Sequence, residues 1–198
     1  MTSNYLPLIL FCLSTSISPG PANLLAMISG AKFGIWRSLP VFFGILIGFN
    51  IIILLTGIGL GNIFQKTTLI YPILKYIGIL YMLYLAYSII RSDANPNEST
   101  AEIQPVSFIS AALLQWVNPK AWIMAVGAIS AYSLPDSNPL LQSFLIAMVF
   151  FFVGAPCIAV WLISGSMMRQ FLSNPKNMKI FNYITGGLLF LSITLTIF

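Results

Sequence analysis

Long apolar runs alternate along this chain with short polar or charged connections. A helix that crosses a bilayer needs about 20 consecutive apolar residues. Six stretches meet that length, at about 5–28, 38–60, 70–90, 106–132, 140–163 and 180–197. The pattern predicts an all-α membrane protein with six transmembrane helices in a single transmembrane domain, residues 1–198. The longest connection, RSDANPNESTAEIQP from Arg91 to Pro105, is polar, acidic and proline-bounded. It divides the chain into repeat one (1–91), a linker (92–105) and repeat two (106–198), each repeat with three spans. An odd number of spans per half inserts the second half upside down, giving two inverted three-helix repeats as in many secondary transporters.

Two of the runs contain helix breakers. Ser18-Pro19-Gly20-Pro21-Ala22-Asn23 lies inside the first and Asn118-Pro119-Lys120 inside the fourth. Proline lacks a backbone donor and clashes with the preceding turn. A break in hydrocarbon is tolerated only where the backbone is buried in protein or lines a wet cavity. Spans one and four are therefore expected to be interrupted near the bilayer midplane. Such a pair in corresponding positions of two halves marks a transport site. Tyr76-Ile77-Gly78 and Tyr183-Ile184-Thr185-Gly186 give weaker support for related halves.

Composition agrees with the span count. The chain is 58% hydrophobic and 7% charged, with mean hydropathy +0.93; soluble domains carry about 25% charged residues. The net charge of +5 comes from residues scattered in short connections, which speaks for membrane orientation and against nucleic acid as a partner. Lys32, Arg37, Arg91, Arg169, Lys176 and Lys179 fall on one side, Lys66 and Lys75 on the other. The richer side is expected to be cytoplasmic, which puts both termini outside. The first span, with no lysine or arginine before Lys32, is expected to be retained rather than cleaved. There is no histidine. Cys12 and Cys157 fit neither a metal spacing nor a disulfide framework and read as packing residues, so no metal or cofactor is expected.

Lys120 carries the sharpest chemical signal. It is the one lysine, arginine or acid near the middle of a span; Asp93, Glu98, Glu102 and Asp136 all fall in connections. A lysine at the bilayer centre costs about 2.5–3.5 kcal/mol on insertion scales. Two readings are open: Lys120 faces the cavity and meets a substrate carboxylate, or it binds backbone carbonyls of the broken first span. A half-helix starting after Pro21 would expose free N–H groups that attract a carboxylate, and the half-helix before it would offer carbonyls to an ammonium group. Asn23 and Asn118 read either as ligands or as helix caps. Gln115, three residues before Asn118, shares its face. The candidate substrate-binding residues are Pro19, Gly20, Pro21, Asn23, Gln115, Asn118, Pro119 and Lys120. Trp116 and Trp122 read as gate or rim, and Trp36 as an interface anchor. Tyr81, Tyr84 and Tyr87 share one face and line a polar path or sit in packed or interfacial positions. Gly44 and Gly48 form a GxxxG pair, for packing within the chain or for a homodimer seam.

The Ser-Pro-Gly-Pro motif at 18–21, Gln-Trp-Val-Asn-Pro-Lys at 115–120, the length and the six spans together resemble the LysE/RhtB family of bacterial amino-acid exporters. The resemblance covers essentially the whole chain. It implies efflux of an amino acid or close derivative across the inner membrane, coupled to protons, and it points to Ser18, Pro19, Gly20, Pro21, Asn23, Asn118, Pro119 and Lys120 as the motif residues. Many members place Asp or Asn directly after Pro-Gly-Pro, where this chain has Ala22. That departure argues against lysine or arginine as cargo. The segments Pro105–Phe108 and Gln115–Asn118 are most similar to members that export cysteine and O-acetylserine; threonine or homoserine is the other candidate pair. The expected partners are a small zwitterionic amino acid, protons and the lipid bilayer. A channel is less favoured because a charged ring or repeated carbonyl filter is lacking. An intramembrane enzyme is less favoured because no serine has the context of an activated nucleophile.

Overall fold

The computed structural model describes residues 5–60, positions 76, 79, 80, 83, 84 and 87, and residues 105–134 and 138–197. Six α-helices are seen among the described residues: α1 (Tyr5–Ile17), α2 (Pro21–Leu55), α3 (Phe108–Val117), α4 (Pro119–Tyr132), α5 (Pro139–Met168) and α6 (Pro175–Ile197). A π-helical turn, Thr56–Leu60, continues α2. The described positions between 76 and 87 are helical. Most of the third predicted span, the linker, Gly61, Lys66, Lys75, Tyr81, Arg91 and the four acidic residues lie outside the described residues.

The most consequential backbone feature is at Gly34. It has φ 76° and ψ 179° inside α2, a region open essentially only to glycine. Ser29 Oγ donates to Ser38 Oγ at 2.8 Å. Nine residues along a straight helix span about 13.5 Å, so the chain must fold back on itself at this glycine. Leu25 on the leading arm (21–33) accordingly packs in one buried cluster with Ile45 and Leu46 on the trailing arm (35–55). The sequence pattern predicts a connection over residues 29–37. The structure replaces it with a single residue, because one glycine in this conformation reverses the chain without a loop and Lys32 and Arg37 stay helical. Trp36, at the reversal, is 83% exposed.

Small residues let the helices meet backbone to backbone. A Cβ on Gly30 would overlap the Leu162 carbonyl oxygen, and one on Gly165 would overlap the Met27 carbonyl oxygen. The leading arm of α2 and the second half of α5 therefore have no side chain between them. Gly44 and Gly48 on the trailing arm are buried against Phe108, Ala111 and Ala112 of α3. Their GxxxG spacing serves packing within the chain, and the pair is not available as a dimer seam. Gly57 makes room instead for the Ser143 side chain near the start of α5. The most extensive helix pairing is α2 with α5, followed by α2 with α3.

Apolar side chains also cover the outside. Leu6, Leu10 and Leu13 lie exposed on one face of α1, and Phe43, Ile47 and Ile51 on one face of the trailing arm. Large exposed apolar faces mark contact with an apolar surrounding. Both α2 and α5 are long and apolar enough to cross a membrane. The trailing arm alone, at 1.5 Å per residue, is about 31 Å long, close to the hydrocarbon thickness of a bilayer.

Candidate functional site

The chain leaves helical geometry between Ile17 and Pro21. In an unbroken helix each carbonyl accepts from the N–H four residues on. Here Pro19 and Pro21 have no N–H, and Gly20 is fully extended at φ −179°, ψ 171°. The carbonyls of residues 15 to 19 lose their helical partners. Side chains replace every one of them. Thr15 O accepts from Ser18 Oγ at 2.8 Å. Ser16 O and Ser18 O accept from Asn23 Nδ2 at 2.7 and 2.9 Å. Ile17 O accepts from Trp161 Nε1 of α5 at 3.0 Å. Ser18 O and Pro19 O accept from Lys120 Nζ at 2.9 and 3.3 Å. Regular helix bonding resumes at Gly20 O, which accepts from Leu24 N.

The donor side of the same break is treated differently. Glycine at the N-cap offers no side-chain acceptor, so the N-terminus of α2 is uncapped. The N–H groups of Ala22 and Asn23, at the second and third helical positions, have no acceptor within the helix. Positive dipole and free donors coincide there. All the freed carbonyls are satisfied with borrowed donors, and the freed N–H groups are left open.

At the second break Asn118 itself meets groups on both sides. Asn118 Oδ1 caps α4 by accepting from Lys120 N at 3.2 Å. Gln115 O, which would have faced the missing Pro119 N–H, accepts from Asn118 N. Trp116 O, which would have paired with Lys120 N, accepts from Trp122 Nε1 at 2.8 Å. The Trp116 and Trp122 rings meet edge-on at 6.1 Å. These two tryptophans thus brace the break.

Between the breaks lies a hollow with about 50 Å³ of room for water-sized molecules, or about 500 Å³ of free space when its open mouth is counted. Its polar wall holds Thr15, Ser16, Asn23, Gln115, Asn118 and Lys120, and its apolar wall includes Ile45, Phe49, Met124 and Phe150. Lys120 is the one charged residue in that lining. It lies across Gly20: a Cβ there would stand 3.0 Å from Lys120 Cδ and 3.1 Å from Nζ. The ammonium has three N–H donors, and three oxygens surround it: Ser18 O, Pro19 O and Ser18 Oγ, the last at 2.8 Å.

Of the candidate residues, Gly20, Asn23, Gln115, Asn118 and Lys120 line the hollow. Pro19 supplies a carbonyl to Lys120. Pro21 and Pro119 are buried at the first helical positions of α2 and α4, where proline starts a helix. Asn118 is a helix cap in this structure, whereas Asn23 straps the end of α1. Tyr84 and Tyr87 are exposed and away from the hollow. Sequence reasoning missed Trp161, whose indole N–H needs a partner as any indole in an apolar run does. It also missed the trailing-arm and α5 residues that form the apolar wall.

The described residues are apolar and all-helical, with a partly polar hollow between two helix breaks, as suits a membrane protein. The profile described as LysE type translocator matches residues 13–197, and the chain belongs to this family of amino-acid efflux transporters. A cysteine/O-acetylserine efflux protein of Klebsiella pneumoniae subsp. pneumoniae is 29% identical over 160 residues, 81% of each chain. Proteins of the same name from Salmonella choleraesuis and from Escherichia coli strain K12 are each 28% identical over 161 residues, again 81% of each chain. No solved structure matches the chain.

Proposed function

We propose that this chain exports a small neutral amino acid or derivative across the bacterial inner membrane by proton antiport, with cysteine and O-acetylserine the first candidates. The names of the relatives support that cargo. One observation carries the site: the uncapped N-terminus of α2 opens onto the hollow beside Lys120, and no acid stands in the lining. Such a wall attracts a carboxylate and disfavours a cationic side chain. The breaks at Pro19 and Pro119 interrupt spans one and four of two inverted three-helix repeats, with the termini outside. Substrate ammonium competes with Lys120 for the Ser18 and Pro19 carbonyls, and the released lysine meets the carboxylate. Lys120, as the acid–base group of the hollow, carries the exchanged proton.

Inverted membrane vesicles test this reading. With the lumen made acidic, labelled O-acetylserine accumulates in vesicles containing the protein, and a protonophore collapses the accumulation. Flux indifferent to the pH gradient makes the protein a channel, and consumption of the substrate without flux makes it an enzyme.

A further inference from the structure

Gln115 is a buried amide with an unmet donor. It is 2% exposed, and its Nε2 has no hydrogen-bond partner. Buried polar groups are normally paired, so such an atom calls for an explanation. Gln115 lines the hollow.

The orientation of this amide follows from the backbone. Lys120 N–H is a donor and can only donate; it bonds Asn118 Oδ1. That fixes the Asn118 amide, whose Nδ2 then points to Gln115. Gln115 must answer with an acceptor, and its Oε1 lies 3.5 Å from Asn118 Nδ2. The Nε2 group, enclosed and unpaired in this structure, is the donor that remains to be offered. A helix N-cap thus sets the polarity of a side chain one turn earlier in the sequence.

Resting on the export reading above, we propose that Gln115 Nε2 reads the side-chain end of the cargo and selects amino acids whose side chain carries a hydrogen-bond acceptor, such as an ester carbonyl. The carboxylate has its own donors at the α2 N-terminus and Lys120, which leaves the Gln115 amide for the other end. A site built to donate to a substrate group discriminates strongly against analogues lacking that group, because its donor is then left buried and unpaired.

Two variants change the polarity by different routes. Gln115→Glu replaces the donor with an acceptor at the same place. Asn118→Asp keeps a cap on Lys120 N–H but has no donor for Gln115 Oε1, so the Gln115 amide turns over and presents Oε1 instead. Export of O-acetylserine, norleucine and 2,4-diaminobutyrate is compared in vesicles at matched protein levels. The parent is expected to prefer O-acetylserine to norleucine by at least tenfold. Both variants are expected to lose that preference, and 2,4-diaminobutyrate is expected to gain in each. A uniform loss for all three cargoes in both variants would place Gln115 at the carboxylate or in the scaffold and overturn the assignment. An unchanged order in Asn118→Asp overturns it as well, even if Gln115→Glu does not fold. If the parent moves none of the three, the export reading falls and takes this assignment with it.

Discussion

Lys120→Met inserts into the membrane and exports nothing. Methionine keeps the length and apolar stem of lysine and removes the ammonium. Pro19 O then has no donor, and Ser18 Oγ loses the partner it accepts from. Pro19 O lies on the exposed side of the break, so its loss of a donor costs less than the roughly 1–3 kcal/mol of a fully buried acceptor and leaves the helix bundle folded. The hollow also loses the one charge in its lining, so the attraction for a carboxylate falls with it. Lys120→Arg keeps the charge, but a planar fork cannot converge three donors on two adjacent residues as an ammonium does. It is expected to retain a small fraction of the flux. Efflux of O-acetylserine from loaded cells, at equal membrane levels of protein, is the measurement. Parent-like efflux by Lys120→Met would remove the lysine from the transport cycle.

Loss of the Asn23 amide is expected to have the largest effect on stability, and Asn23→Leu removes it most cleanly. The two side chains are similar in size, so packing changes little. The amide lost is the one that bridges Ser16 O and Ser18 O. Ser18 O keeps Lys120, whereas Ser16 O is left without a donor. The expected loss is about 1–3 kcal/mol for the orphaned carbonyl, together with a disordered join between α1 and α2. Asn23→Asp is expected to be worse, because an acceptor then faces two carbonyls. Thermal unfolding in detergent reads both, with the order parent above Asn23→Leu above Asn23→Asp. A parent-like midpoint for Asn23→Leu would show that the strap is dispensable.

Some of this was visible in the residues and some was not. The breakers at 19–21 and 119 declare themselves, since proline removes a donor whatever surrounds it. A lysine in an apolar run likewise announces that something offsets its cost. What offsets it is a pair of residues about a hundred positions earlier, and no local pattern gives a contact of that kind. Asn23 illustrates the same limit. Its type allows capping, but whether it serves the helix that follows or the one that precedes depends on where the chain turns. The reversal at Gly34 was hidden because Lys32 and Arg37 flank it, and charges around a glycine read as a loop. GxxxG at Gly44 and Gly48 signalled close approach without naming the partner, which proved to be α3. The walls of the hollow come from α1, α2, α3, α4 and α5 together, an arrangement set by packing between distant segments.

Ala22 offers the most direct test, because it lines the hollow at the open end of α2. Cys12 and Cys157 are both buried and can be replaced by alanine to give a thiol-free background. Cysteine is then introduced at Ala22, and its labelling by a small, water-soluble thiol reagent is followed with and without O-acetylserine. Rapid labelling that slows as the amino acid is added is the expected result. A thiol that resists the reagent, or one whose labelling ignores every amino acid the parent exports, would contradict a substrate site at the helix break.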